Sequence, residues 1–286
     1  MPILPVGDEP VSGPQYPYFR PREATSRQSM LHDYWYKLVE DYTTRNITKS
    51  SDRLPAIAGL AKRVSKQLPK DTYVSGLWLS DIRNGLLWKA GGVGHDPTRA
   101  IASSWSWAAP NERVRFEGLW FDNFGSYGEH RAPTFTIPSD VDKIVSPFPL
   151  LQAQGSFMLV KCALEKYPRS YYLENCDGRL NHGKPPRNCK PGKEGISAHY
   201  LFAWWDWSID MRSGCYDGVF HCLIFGTDHY DAGRKWPRGL ILKCVDPEKR
   251  LYKRMGVFDH HNCDDWLDET LWEELIALKR ETIYIM

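Results

Sequence analysis

The sequence predicts an α+β fold, with a helical N-terminal part of about three helices packed on a mostly antiparallel, β-rich C-terminal part. Three observations predict it. Apolar residues recur at helical spacing only between about residues 30 and 90. Beyond Gly94 the pattern changes to short β-branched and aromatic runs broken by Gly, Pro and Asp. No helical crossover separates those runs, so meanders fit better than βαβ units. A chain of 286 residues can bury a full core, and 28–286 is expected to form one compact unit, helical over 28–94 and β-rich over 95–286.

Residues 1–27 carry Pro2, Pro5, Pro10, Pro14, Pro17 and Pro21 and are expected to form an extended arm. From Met30, the positions Leu31, Tyr34, Trp35, Leu38, Val39 and Tyr42 line one face of a first helix, opposite Asp33, Lys37 and Asp41. Ser51 or Asp52 can cap a second helix, with Pro55 tolerated in its first turn. Leu54, Ile57, Ala58, Ala61, Val64 and Leu68 form its buried stripe, and Gly59 with Ala56, Ala58 and Ala61 predicts close packing. Trp78, Ile82 and Leu86 predict a third helix over 77–89, stopped by Gly91-Gly92.

Strands are expected at 103–108, 113–121, 134–137, 156–164, 170–174, 199–209, 218–226, 239–245 and 250–257, with a last one at 282–285. The Gly-, Pro- and Lys-rich stretch 175–197 is expected to be a mobile loop, because it holds too little apolar surface to offset its ordering entropy. Asp264-Asp265 can open a short helix near 264–275 carrying Trp266, Leu267, Leu271 and Trp272.

Composition narrows the function. With 37 basic against 35 acidic residues, the chain lacks the cationic surplus of a general nucleic-acid binder, and nucleic acid is not expected as a partner. No apolar run approaches the length of a membrane span, and no leader-like start is visible, so a cytoplasmic protein is the expectation. The seven cysteines are an odd, scattered set and are read as reduced thiols. The 12 tryptophans raise aromatic content to 13%, which predicts a thick aromatic core before it predicts a stacking pocket.

Four segments carry a resemblance. Trp35 with Leu38-Val39-Glu40-Asp41-Tyr42-Thr43-Thr44-Arg45-Asn46-Ile47-Thr48, followed by Ser51-Asp52-Arg53-Leu54-Pro55-Ala56-Ile57-Ala58-Gly59-Leu60-Ala61, is the first. Tyr73-Val74-Ser75-Gly76-Leu77-Trp78, with Leu86-Leu87-Trp88, is the second. Ser103-Ser104-Trp105-Ser106-Trp107-Ala108 is the third, and Gly239-Leu240-Ile241-Leu242 leading to Tyr252-Lys253-Arg254-Met255-Gly256-Val257-Phe258 the fourth. In this order they resemble the region that follows the HET domain in fungal heterokaryon-incompatibility proteins. The resemblance covers 35–108 and, more loosely, 217–286. It departs at Ala102, where the family more often has proline. It implies that the death-triggering HET domain, expected to end just before this chain, is absent, and that the remaining region does regulatory or recognition work. Its landmarks Trp35, Asp52, Arg53 and Trp78 are read as scaffold positions. Asp52 is expected to cap the second helix while Arg53 reaches Glu40 or Asp41.

Few residues suggest chemistry. Asp206 lies among Trp204, Trp205 and Trp207, where burial would raise its carboxyl and suit a general acid, and Asp228 with His229 follows the strand expected to end at Gly226. Trp105 and Trp107, two apart in a strand, would share one face, either under the helical layer or, with Trp205, as a ligand platform. Cys176, His182 and Cys189, and His260-His261 with Cys263, Asp264 and Asp265, include zinc-ligand types without paired short spacing, so no metal is assigned. No serine elbow or phosphate loop is present, and no cofactor is implied. Two readings follow: a non-catalytic module that binds another protein, or a cofactor-independent enzyme acting on a small hydrophobic ligand in an aromatic pocket.

Overall fold

The computed structural model describes residues 26–45, 47–91, 94–95, 100–116, 132–138, 146–163, 171–175, 200–208, 219–230, 234–259 and 278–286. Residues 1–25 of the arm expected over 1–27, most of the 175–197 loop, the 264–275 helix and both candidate metal clusters fall outside these residues, while Ser26 already caps and Arg27 already opens the first helix.

Helix α1 spans Arg27–Thr43. Ser26 caps it in an extended conformation, its side chain accepting from the Ser29 N–H at 3.2 Å. The buried stripe is His32, Trp35, Tyr36, Val39 and Thr43. It is rotated from the predicted one because the helix buries two polar residues with bonded partners. A 3-10 turn at Ser50–Asp52 leads into α2, Arg53–Ser65. Asp52 makes no side-chain cap: its backbone is already helical (φ −88°, ψ −1°), a conformation from which the carboxylate cannot fold back onto the first turn.

The second helix is less tightly packed than its small residues predict. Only Arg53, Ile57, Ala61 and Val64 are buried, while Ala56, Ala58 and Gly59 face outward. A side chain on Gly59 would meet open space, so the glycine only lowers helix propensity. Gly59→Ala is accordingly expected to stabilise the fold by about 0.4–1 kcal/mol, read as a higher urea midpoint at unchanged m-value.

The third helix predicted over 77–89 is instead a hairpin and one helical turn. Strands β1 (Tyr73–Val74) and β2 (Leu77–Trp78) pair around Ser75-Gly76, which both have positive φ, 46° and 94°. A 3-10 turn, Leu79–Asp81, and the short α3, Ile82–Gly85, follow. The turn chemistry of Ser75-Gly76 prevails over the i, i+4 spacing of Trp78, Ile82 and Leu86, all of which are still buried.

The remaining strands are β3 (Lys89–Ala90), β4 (Gly94–His95), β5 (Val114–Arg115), β6 (Thr134–Thr136), β7 (Leu151–Ala163), β8 (Tyr171–Asn175), β9 (Tyr200–Trp205), β10 (Trp207–Ser208), β11 (Val219–Tyr230), β12 (Arg234–Asp246), β13 (Leu251–Asp259) and β14 (Arg280–Ile285). No strand forms at 103–108; that segment is a buried succession of turns. The main sheet closes on itself. Strand β7 pairs with β11, β11 with β12, and β12 with β13, all antiparallel. Strand β13 then divides. Its start, Leu251 and Tyr252, runs parallel to β14, and its end, Gly256 to Asp259, pairs with β9. Both routes return to β7, one through β14 and the other through β8. Such closure needs bends, and bulges interrupt β11 next to Gly226, β13 at Met255 and β12 at Val245.

Residue alternation gives this sheet two apolar faces. Leu223, Phe225, Leu240, Leu242, Val257, Ile283 and Ile285 join the helical layer in one continuous core. Phe220, Cys222, Ile224, Ile241, Phe258 and Trp205 are buried on the other face. There the Trp205 and Phe220 rings meet at 5.2 Å although β9 and β11 are not neighbours, as expected inside a closed sheet.

Candidate functional site

The segments singled out in the sequence meet where the helical layer joins the sheet, and Arg254 is at the centre. It is fully buried. Its Nε donates to Asp206 Oδ2 at 2.7 Å and its Nη2 to Asp206 Oδ1 at 3.1 Å, a two-pronged carboxylate contact. Nη1 donates to the Leu86 carbonyl and Nη2 to the Trp88 carbonyl, each at 2.6 Å, and the guanidinium lies 3.4 Å from the centre of the Trp88 ring. One side chain from β13 thereby ties down the segment between α3 and β3. The Arg254 N–H donates to Ser104 Oγ at 2.9 Å, and Ser104 Oγ donates to the Met286 carbonyl.

Asp206 is therefore completely buried, deeper than the partial burial expected. Burial pushes its carboxyl up and the Arg254 guanidinium down, each opposed by the attraction of the other. Both carboxylate oxygens already accept from a guanidinium that keeps its proton in proteins. With its side chain 0% exposed, no part of the carboxylate faces solvent, and Asp206 is placed as the partner of Arg254.

The tryptophans form the second part of the joint. Trp35 and Trp107 both donate their indole N–H to the Gly76 carbonyl at 2.9 Å, so one turn residue receives two rings. Trp35 stands edge-on to Tyr73 and Trp78 at 5.3 and 5.9 Å. The Trp88 indole donates to the Trp105 carbonyl at 3.1 Å, and the Trp105 indole to the Pro149 carbonyl at 3.3 Å. Ser103 and Ser106 extend the pinning, donating to the carbonyls of Pro149 and Ser75. Trp105 and Trp107 are wholly enclosed, 0% exposed, and Trp205 packs on Phe220 at 7% exposure. None of the three presents an open platform. The segment carrying Trp105 and Trp107 is held by side chain to main chain bonds instead of a strand ladder, which is why period-two reasoning misplaced it.

Arg53 does not reach Glu40 or Asp41. Its Nη2 donates to the Glu112 carbonyl at 2.9 Å and its guanidinium lies 5.8 Å from the Trp107 ring centre. Glu40 instead accepts the Phe116 N–H at 2.6 Å, and burial raises its carboxyl. Asp228 and His229 are strand residues, in register with Trp236 and Lys235, because β11 continues past the Gly226 bulge to Tyr230.

Sequence reasoning missed a second polar group, between α1 and the β1–β2 hairpin. His32 Nε2 and Asp71 Oδ2 are 2.8 Å apart, and Ser80 Oγ donates to the same Oδ2 at 2.5 Å. On the far side of the ring, Asp81 Oδ2 is 3.9 Å from His32 Nδ1 and accepts from Tyr36 at 2.9 Å. Serine, histidine and aspartate are all present, yet the order is wrong for a nucleophile. Asp71 stands between the hydroxyl and the imidazole, leaving Ser80 Oγ 3.5 Å from His32 Nε2. The i, i+4 pair His32 and Tyr36 on the helix was the available signal.

Burial alone would raise the Asp71 carboxyl, but the hydrogen bonds from Ser80 and His32 outweigh it and hold the group below the ordinary aspartate range. The folded state thus binds its proton less readily than the unfolded chain. This stability is present above the unfolded value and is lost as pH falls through the lower, folded one. Urea midpoints measured from neutral pH into the acid range should fall more steeply for the parent protein than for Asp71→Asn, which has no carboxyl to titrate.

Among the described residues, no group of three or more His, Cys, Asp or Glu could hold a metal ion, and no helix is long and apolar enough to cross a membrane. Cys222, which is buried, and Cys244, which is half-buried, are not joined in a disulfide. No protein-family model, curated protein or solved structure matches this chain.

Proposed function

We propose that this chain is a non-catalytic recognition or regulatory module of the kind that follows the HET domain in fungal heterokaryon-incompatibility proteins, working in the cytoplasm by binding another protein. The observation that carries this reading is the Arg254–Asp206 joint. The most chemically suggestive carboxylate of the sequence is consumed internally, and the tryptophans that would have lined a pocket hold segments together. Residues so used give a rigid frame, and a rigid frame presents surfaces.

The competing reading is an enzyme that handles a small hydrophobic substrate without a cofactor. A thermal-shift screen of apolar small molecules separates the two. A ligand bound only by the folded state at about 100 times its Kd adds about 2.7 kcal/mol of stability. The recognition reading expects no saturable rise in Tm from the small molecules; a rise accompanied by turnover of the compound overturns it.

A further inference from the structure

We infer that the outward face of α2 docks an acidic, amphipathic segment of a partner protein. The inference rests on the recognition reading and names the partner's chemistry. From Arg53 to Lys70 the chain holds five basic residues and no acidic one, although the whole protein is balanced at +2. Arg53 is turned inward, whereas Lys62, Arg63, Lys66 and Lys70 are exposed. None of these four makes an ion pair among the described residues. Arg27 of α1 lies against their edge, donating to Gln67 at 2.7 Å. Of the nearest carboxylates, Asp52 is at the opposite end of the helix and Asp71 is already engaged by Ser80 and His32. The helix dipole welcomes cations in this last turn, but it provides no counter-charge for a row of them.

The same face is shaped for close approach. At 100° per residue, Pro55, Gly59, Lys62 and Lys66 fall along one outward ridge, opposite the buried Ile57, Ala61 and Val64. Gly59 has open space where a side chain would be, so nothing inside the fold requires a helix-weakening residue there. A smooth N-terminal half and a cationic C-terminal half fit a helix with one small or apolar stripe and one acidic stripe. A phosphate backbone or an anionic bilayer would use the charges but not the bare surface at Gly59.

The test uses the full chain and a fluorescein-labelled helical peptide of Glu, Ala and Leu with one acidic and one apolar stripe, followed by anisotropy at low and physiological salt. Saturable binding that weakens with salt is expected. The Lys62→Glu/Lys66→Glu variant should weaken it by about tenfold or more. Gly59→Gln should also weaken it while raising Tm, a pairing that a purely structural role would not produce. Absence of saturable binding, or tighter binding to single-stranded RNA or to phosphatidylserine vesicles than to the peptide, overturns the proposal. Peptide binding that survives charge reversal overturns the assignment to α2 but leaves the recognition reading intact, since only ligand-driven stabilisation in the small-molecule screen bears on that.

Discussion

Arg254→Ala is expected to lower folding stability by about 3–5 kcal/mol, a large share of the roughly 5–15 kcal/mol that holds a typical domain together. The change removes more than a contact. Asp206 would remain as an uncompensated charge in a site without water access, and the carbonyls of Leu86 and Trp88 would lose their donors. Urea denaturation of the purified protein measures the effect. The double variant Arg254→Met/Asp206→Leu discriminates the cause, because it removes both charges and keeps the volume apolar. It should recover much of the loss if the orphaned carboxylate is the dominant penalty, and none of it if the carbonyl contacts dominate.

A second large effect is expected at Gly239. A Cβ there would coincide with the Leu223 carbonyl oxygen and press on the Phe258 ring. Because the obstacle is main chain, no rotamer change relieves it, and Gly239→Ala should exceed the roughly 1–3 kcal/mol usual for an overfilled core. The variant is expected to accumulate as insoluble protein on expression. Gly256 faces the same difficulty against the Trp204 carbonyl, so Gly256→Ala is the replicate. A soluble Gly239→Ala protein with an unchanged urea midpoint would mean that β11 and β12 do not pair as described here.

The outline of this fold was legible because hydrophobic period distinguishes helix from strand wherever packing is regular. Helix α1 and most strands of the closed sheet follow that rule within a few residues. It failed where tryptophan side chains, not ladders, fix the main chain. Trp105 and Trp107 alternate like strand residues yet sit in turns, and Trp78 has helical spacing yet belongs to a hairpin. At 103–108 the deciding contacts are indoles donating to distant carbonyls, bonds between segments far apart in sequence, and at 73–78 it is the Ser75-Gly76 turn, whose Gly76 carbonyl accepts from Trp107. The Arg254–Asp206 pair was out of reach for the same reason, since 48 positions separate its members. Arg254 lay inside a recognised motif, but on a strand of alternating character an arginine reads as a surface residue.

Ring closure has a last consequence for how any partner engages this protein. At the centre of the ring, His221 to Leu223 of β11 and Gly239 to Leu242 of β12 are each paired with a strand on both flanks. An incoming extended peptide therefore finds no vacant rung at these central positions, and annexation into the ladder there, a common and rather sequence-tolerant mode of capture, is closed to it. Over that stretch, selectivity falls to side chains on the protein's outer skin, which makes a partnership there sensitive to single surface substitutions and largely indifferent to the partner's backbone.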